Sequence, residues 1–404
     1  MSISPEGTKL DFERGMNHRL LVLLSLGHLV TDINQGALPV LLPSLISLHH
    51  LSYAAAAGIV FATTIASSVV QPLFGYFADR FSRPWIMPVG VLLAGGGIAL
   101  IGVVPAYGWI ILVSIVSGIG IAAFHPEGAR LVTCVAGQER ATAMSYFGIG
   151  GNLGFIAGPA LATVALFVWG LRGTLLLIVP VLAMAAAFAS QLSALSAVEA
   201  ASREATYRAT AGKARDAWVP FGRLTLAMIG RSMLFYAMNT FVPLYWIHEL
   251  HQSQAEGGIA LTILSAAGIL GNLFGGRLAD HFGHRKVVLA GFTLMIPLLP
   301  ALLWANRPGA ALPLLVGLGF ALSCPYPSMV VLGQSYLPNR VGLASGVTLG
   351  VAVAVGGLAS PLLGWVADHH GIRLALSGTI VLPIASAGLA LTLPDLGGSM
   401  RRGA

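Results

Sequence analysis

Three ionisable residues, His125, Glu127 and Arg130, lie within six positions of one another inside a long apolar run. Ionisable groups within a bilayer are costly and need partners or a water-filled cavity, so they mark functional positions by default. Pro126 lies among them and removes a backbone donor, which disturbs the helix where these groups cluster. Groups of this kind can bind and release protons or contact a polar solute.

A second polar group lies in the first apolar run, where His28 and Asp32 are four residues apart and Gln35 follows. This spacing places them on one face of a helix. A buried carboxylate beside a cation can exchange a proton as solvent access alternates. We therefore predict Asp32 and Glu127 as proton-binding residues, with His28 and His125 as modulators. The alternative for Asp32 is a static hydrogen bond or ion pair between helices.

Arg231 lies near the centre of a later apolar run. A guanidinium offers paired donors that suit phosphonate, phosphate or carboxylate, so we predict that Arg231 and Arg130 face an anionic substrate. The alternative for Arg231 is a permanent salt bridge with Asp32, and Arg130 can instead extend to the interface or pair with Glu127. The predicted secondary contacts to substrate are Gln35, Asn34, Tyr236, Asn239 and Tyr326.

The composition places these groups in a membrane protein. Of the 404 residues, 56% are hydrophobic and 9% are charged, whereas soluble domains carry about 25% charged residues. The apolar residues form long blocks, as membrane-spanning helices of about 20 residues require. We predict an all-α protein with twelve transmembrane helices near 19–46, 53–78, 85–104, 107–133, 141–168, 173–193, 219–247, 257–279, 287–305, 310–335, 341–367 and 374–393.

One long polar segment divides the chain between the sixth and seventh spans. It reads as a linker or a surface helix between two six-helix halves. We predict an N-terminal tail at 1–18, a six-helix bundle at 19–193, a linker at 194–218, a second six-helix bundle at 219–393 and a C-terminal tail at 394–404.

The basic residues predict the orientation of the chain. With the N-terminus in the cytoplasm, only Arg172, Arg307 and Arg373 of the 22 Lys and Arg residues fall outside, and Arg130 and Arg231 lie within spans. This asymmetry follows the positive-inside rule and accounts for the net charge of +7 without a nucleic-acid partner. We predict that both termini are cytoplasmic and that the protein lies in a bacterial inner membrane.

The two halves repeat at an offset of 201 residues. The motif Gly75-Tyr-Phe-Ala-Asp79-Arg80-Phe-Ser-Arg83 recurs as Gly276-Arg-Leu-Ala-Asp280-His-Phe-Gly-His-Arg285, and the same offset relates Pro126 to Pro327. Parallel six-helix repeats related by an axis along the membrane normal are typical of the major facilitator fold.

The repeated loop resembles the signature of the major facilitator superfamily, in which it gates the cytoplasmic side. Gly154-Phe-Ile-Ala-Gly158-Pro159 resembles a motif of its proton-coupled drug antiporters. Three further stretches, 28–35, 125–130 and 337–346, resemble the fosmidomycin resistance group of efflux proteins. The resemblance implies a cytoplasmic gate formed by Gly75, Asp79, Arg80, Arg83, Gly276, Asp280 and Arg285.

The resemblance implies a functional monomer that exports a small organic, drug-like and anionic compound by alternating access and proton antiport. Many relatives carry an arginine where this chain has Ser114, so coupling depends on other groups. Proton-coupled or facilitative uptake of an organic acid is the alternative, and a non-transporting receptor is a weaker one. The sequence contains neither a P-loop nor a metal-ligand set, so we expect no enzyme activity, cofactor or metal. The predicted partners are a small-molecule substrate, protons and the lipid bilayer.

Overall fold

In a computed structural model, the described residues are 15–51, 53–81, 84–210, 215–358 and 360–394. Their regular structure is helical throughout these ranges. Eight helical stretches among them are long and apolar enough to cross a membrane. The chain divides into two compact units, Met1–Arg215 with Asn339–Val351 and Asp216–Pro338 with Ala352–Ala404.

Among its described residues, the first unit contains nine α-helices, a 3-10 segment at Gly170–Leu177 and a π-helical segment at Val347–Val351. Its α-helices are α1 (His18–His49), α2 (Tyr53–Ser68), α3 (Gln71–Phe81), α4 (Ile86–Leu100), α5 (Tyr107–Val135), α6 (Arg140–Trp169), α7 (Ile178–Ser190), α8 (Leu192–Thr210) and α14 (Val341–Gly346).

The second unit contains nine α-helices within its described residues. They are α9 (Trp218–His248), α10 (Gln254–Phe282), α11 (His284–Trp304), α12 (Pro308–Ser323), α13 (Tyr326–Tyr336), α15 (Ala352–Leu358), α16 (Ser360–His370), α17 (Ile372–Gly378) and α18 (Val381–Leu391).

Each predicted span corresponds to one helix or to a broken helix. The second span is interrupted between Ser68 and Gln71, the tenth between Ser323 and Tyr326, and the eleventh by the π-helical segment. Pro325 explains the break in the tenth span, because a proline cannot donate the backbone hydrogen bond that continues a helix. The predicted linker is largely helical, since α8 covers Leu192–Thr210.

A backbone hydrogen bond occurs in corresponding places of the two units. The amide of Asn17 donates to the carbonyl of Val135 at 2.8 Å, and the amide of Ala217 donates to the carbonyl of Tyr336 at 2.7 Å. The sequence repeat thus has a counterpart in the contacts at the start of α1 and of α9.

Small residues bring α1 and α6 close together. Gly150, Gly154 and Gly158 lie one turn apart on α6, and a Cβ atom at each would collide with the backbone of α1 at Ser25, Leu29 and Ile33, respectively. Glycines at this spacing let helix backbones approach closely within a membrane. Gly151 faces the side chains of His28 and Asp32, so this contact also positions the polar group of α1.

Candidate functional site

The structure brings the two polar groups of the N-terminal half together at Asp32. His28 Nε2 lies 3.2 Å from one carboxylate oxygen of Asp32, and His125 Nε2 lies 3.2 Å from the other. Asp32 is 3% exposed, and both histidines are buried. The imidazole rings of His28 and His125 meet edge to face with centroids 4.9 Å apart. We call these three residues the His–Asp–His cluster.

The hydrogen-bond partners assign the ring protons of His28. Its Nδ1 lies 2.7 Å from the carbonyl oxygen of Phe147, which can only accept, so Nδ1 carries a proton. The Nε2 atom of a neutral His28 would then be an acceptor facing a carboxylate oxygen. One additional proton, on His28 or on Asp32, is therefore required to make this contact a hydrogen bond.

Two glutamines complete the surroundings of the cluster. Gln35, predicted as a substrate residue, donates to Asp32 Oδ1 at 3.1 Å. Gln71, which the sequence analysis did not identify, places its Nε2 3.4 Å from His125 Nδ1. Gln71 is buried at the break between α2 and α3, two helices of one predicted span, and the sequence alone does not indicate this position.

The His–Asp–His cluster also has the donor set of a metal site. His28, Asp32 and His125 offer one donor atom each, and these atoms lie within 4.8 Å of one another. Imidazole and carboxylate suit several divalent transition metals. Here the imidazole nitrogens lie at hydrogen-bond distance from the carboxylate oxygens, so a proton between them accounts for the contact.

Glu127 and Arg130 pair with each other on α5. Arg130 donates from Nε and Nη2 to the two oxygens of Glu127 at 2.9 and 2.7 Å, in the fork geometry of a strong ion pair. Its Nη1 lies 3.0 Å from Glu199 of α8. The pairing of Glu127 with Arg130 agrees with their predicted spacing, and it favours a structural role for both over proton transfer and substrate binding.

Arg231 has a different environment in the second unit. Its Nε donates to the carbonyl oxygen of Leu322 at 2.7 Å, and its guanidinium carbon lies 4.6 Å from the ring centroid of Tyr326. The Phe235 ring centroid lies 5.7 Å away. Arg231 is 7% exposed, and no carboxylate among the described residues pairs with it. The edge formed by Nη1 and Nη2 remains available for an oxyanion.

The remaining predicted substrate residues differ in their surroundings. Asn34 donates to the carbonyl of Val30, and its side-chain oxygen is buried without a hydrogen-bond partner among the described residues. Asn239 donates to the carbonyl of Phe235 at 2.8 Å, which favours packing over ligand contact. Tyr236 is half-buried beside Phe235, and Tyr326 supports Arg231 as described above.

The first copy of the repeated loop contacts the start of α14. Asp79 accepts from the backbone amides of Gly342 at 2.6 Å and Leu343 at 2.9 Å, where a helix N-terminus favours a negative charge. Gly75 packs backbone to backbone against Gly342. Arg80 is bonded to the Tyr76 hydroxyl on the surface. Arg83, also predicted for the gate, lies outside the described residues.

The second copy of the loop makes different contacts. Arg285 donates to the carbonyls of Ala390 and Leu391 at the end of α18, at 3.4 and 2.6 Å, where a cation complements the helix C-terminus. Gly276 is buried, and Asp280 is half-buried. The two copies of the gate motif thus contact helix ends through different residues, Asp79 in the first copy and Arg285 in the second.

Comparisons with known proteins show the family of the chain. A model of the Major Facilitator Superfamily matches residues 24–357 and 224–399. The chain is 29% identical over 392 residues to the fosmidomycin resistance protein of Escherichia coli, covering 93% of each chain. It is 28% identical to the uncharacterized transporter YfnC of Bacillus subtilis, again covering 93% of each.

Solved structures show the same fold at low sequence identity. The outward conformation of the transporter FucP gives a TM-score of 0.71 at 15% identity, covering 93% of this chain and 98% of the other. The human organic anion transporter MFSD10 gives 0.70 at 18% identity, covering 92% and 99%, respectively. These likenesses show the major facilitator fold.

Proposed function

Because the chain belongs to the major facilitator superfamily and is a multi-pass membrane transporter, we propose that it exports a small organic anion in exchange for protons. Export by proton antiport would proceed by alternating access in a bacterial inner membrane, with both termini in the cytoplasm. The protein would act as a monomer and use the proton gradient as its energy source, without a cofactor.

The observation that carries the proposal is the His–Asp–His cluster. Asp32 is buried between two imidazole nitrogens at 3.2 Å, and the bond from His28 Nδ1 to Phe147 leaves one proton to be supplied to the cluster. Ionisable residues at membrane depth are typical of proton pathways in transporters. The cluster would take up a proton when it is open to one side of the membrane and release it when open to the other.

Arg231 supports an anionic substrate. A buried guanidinium without a carboxylate partner among the described residues keeps two donors for a planar or tetrahedral oxyanion. The rings of Tyr326 and Phe235 beside it favour a compound that also carries an apolar part. The relative named for fosmidomycin resistance makes fosmidomycin the first compound to test.

The proposal is tested in inverted membrane vesicles that carry the protein, with labelled fosmidomycin at the same concentration inside and outside. Acidifying the vesicle interior should drive accumulation of the label, because this geometry reproduces export from the cell. Asp32→Asn should reduce the gradient-driven flux by about tenfold or more while exchange without a net gradient persists. Asp368→Asn, the same substitution at an exposed carboxylate, is the matched control. Unchanged gradient-driven flux in Asp32→Asn would refute the role of the cluster.

The same vesicles separate export from uptake. The second candidate function is proton-coupled or facilitative uptake of a metabolite, and one relative, 21% identical over 369 residues, is a proline/betaine transporter of Escherichia coli. If an acidic vesicle interior expels the label, the protein couples protons and substrate in the same direction. A chelator added to both sides excludes a metal ion in the cluster as the cause of any effect.

A further inference from the structure

Helix α3 contacts the segment 339–351 at both of its ends. At one end, Asp79 accepts the amides at the start of α14. At the other end, the backbone of Gln71 packs against Gly346, where an added Cβ would lie 2.6 Å from the Gln71 carbonyl oxygen. A Cβ at Gly350 would lie 2.6 Å from Gln71 Oε1 and 2.8 Å from Cδ. The side chain of Gln71 is thus in direct contact with Gly350.

The same Gln71 side chain reaches the His–Asp–His cluster. Its Nε2 lies 3.4 Å from His125 Nδ1, and the opposite nitrogen of that ring lies 3.2 Å from Asp32. Gln71 is 4% exposed, and its distance of 3.4 Å from His125 Nδ1 makes this contact direct. One amide therefore contacts the cluster on one side and the segment 339–351 on the other.

The two ends of an amide differ in hydrogen bonding, which makes Gln71 sensitive to protonation. With Nε2 facing His125, the Nδ1 atom must accept, so the ring carries its proton on Nε2 toward Asp32. A second proton on His125 would set two donors against each other. Rotating the amide would then present Oε1 to His125 and move the NH2 group toward Gly350.

The segment that contains Gly350 has an irregular backbone that can respond to rotation of the Gln71 amide. Val347–Val351 is π-helical, an arrangement that is rare and occurs frequently at functional sites. Gln71 Oε1 is buried without a hydrogen-bond partner among the described residues. When the amide rotates, its NH2 group takes the place of this oxygen. The polar contacts of the irregular backbone at Val347–Val351 then change.

We propose that Gln71 is the positioning residue that transmits protonation of His125 to the π-helical segment Val347–Val351. The inference rests on the proposed function, because it requires that the cluster binds a proton. The titratable groups that face His125 from α1 are His28 and Asp32. Glu127 and Arg130 share α5 with His125 but pair with each other.

Hydrogen exchange of the purified, substrate-free protein tests this directly. We compare the peptide covering 339–351 near pH 6 and pH 8, on either side of the unperturbed histidine value of about 6.5, after correction for intrinsic rates. The wild type should differ between the two conditions by about threefold or more in protection. Gln71→Met should abolish the difference. Gln71→Glu should keep the segment in its high-pH state, because a carboxylate presents an oxygen to Gly350 at both pH values.

Two outcomes would overturn the proposal. Exchange of 339–351 that is independent of pH in the wild type is the first. The second is an unaltered pH response in Gln71→Met together with loss of the response in Asp32→Asn. Gln252→Met, the same substitution in a surface segment of the other unit, is the control and should respond as the wild type.

The exchange readout does not depend on transport. If vesicles show no gradient-driven flux of fosmidomycin while the segment responds through Gln71, the proposed function fails and this inference stands. If flux depends on Asp32 but Gln71→Met alters neither exchange nor the pH profile of transport, the inference fails alone.

Discussion

Glu199 Oε1 lies 3.0 Å from Nη1 of Arg130, which ties α8 to α5 by a buried ion pair. Arg130 is already bonded through its other nitrogens to both oxygens of Glu127. The guanidinium of Arg130 thus contacts two carboxylates through its three nitrogen atoms. The polar helix between the two sequence repeats is thereby anchored to the first unit.

The ion-pair network predicts unequal effects on stability. Glu127 is fully buried and makes two bonds, so Glu127→Ala should destabilise the protein by about 3–5 kcal/mol, the usual cost of leaving a buried charge without its partner. Glu199→Ala should cost less, because Arg130 keeps Glu127. Thermal unfolding in detergent measures both. Glu249→Ala, which removes a partly exposed partner of Arg373, is the control and should cost about 0–1 kcal/mol. Equal losses in all three variants would contradict this account.

The contact between Gly75 and Gly342 predicts a steric effect on transport. A Cβ at Gly75 would collide with the carbonyl of Gly342, so Gly75→Ala should separate α3 from α14. We expect a change in the exchange of 339–351 and a reduction in transport of about tenfold or more. Gly96→Ala is the matched control, since a Cβ there meets no atom within 4 Å. Normal transport by Gly75→Ala would show that this close approach is dispensable.

Asp79 should affect conformational switching rather than affinity. Both of its oxygens accept backbone amides, and an asparagine would set its NH2 group against one of them. Asp79→Asn should lower the transport rate by about tenfold while the Kd for the substrate proposed above changes by less than about twofold. Arg80→Gln, at the exposed neighbour, should leave both near the wild-type values. A large loss of affinity with normal switching would count against the proposed gate.

Hydropathy was sufficient to predict the positions of the helices, because membrane spans are long and apolar. Spacing along a helix also predicted that Asp32 and Gln35 share one face, and it allowed Glu127 to pair with Arg130; the structure shows a contact within each of these two pairs. These contacts are local, so they follow from helical geometry alone.

Contacts between segments that are far apart in the sequence were harder to predict. Asp32 and His125 were both predicted to act in proton coupling, but the amide of Gln71 behind His125 was not identified, since a lone glutamine in an apolar run carries no spacing signal. Glu199 was missed because its segment is polar throughout, and burial of a single carboxylate depends on the docking of α8. The π-helical segment has no proline or charge to indicate it.

Arg231 provides a test that separates substrate binding from a permanent ion pair. Lysine keeps the charge but lacks the planar fork, so Arg231→Lys should raise the Kd for the proposed anionic substrate about tenfold, and Arg231→Met should abolish measurable binding. Arg223→Lys on the same helix is the control, because Arg223 is exposed and bonds only the carbonyl of Thr392 among the described residues. Equilibrium binding to the purified protein measures all three.

The stability of Arg231→Met decides between the two interpretations independently of any ligand. A buried cation whose described protein partners are a carbonyl and aromatic rings retains a desolvation cost that no carboxylate offsets. Methionine removes the charge and keeps much of the volume, so the variant should unfold at the same temperature as the wild type or higher. A guanidinium in a permanent salt bridge would behave in the opposite way, because its removal leaves a buried carboxylate unpaired. A marked fall in the unfolding temperature would therefore assign Arg231 to structure rather than to substrate.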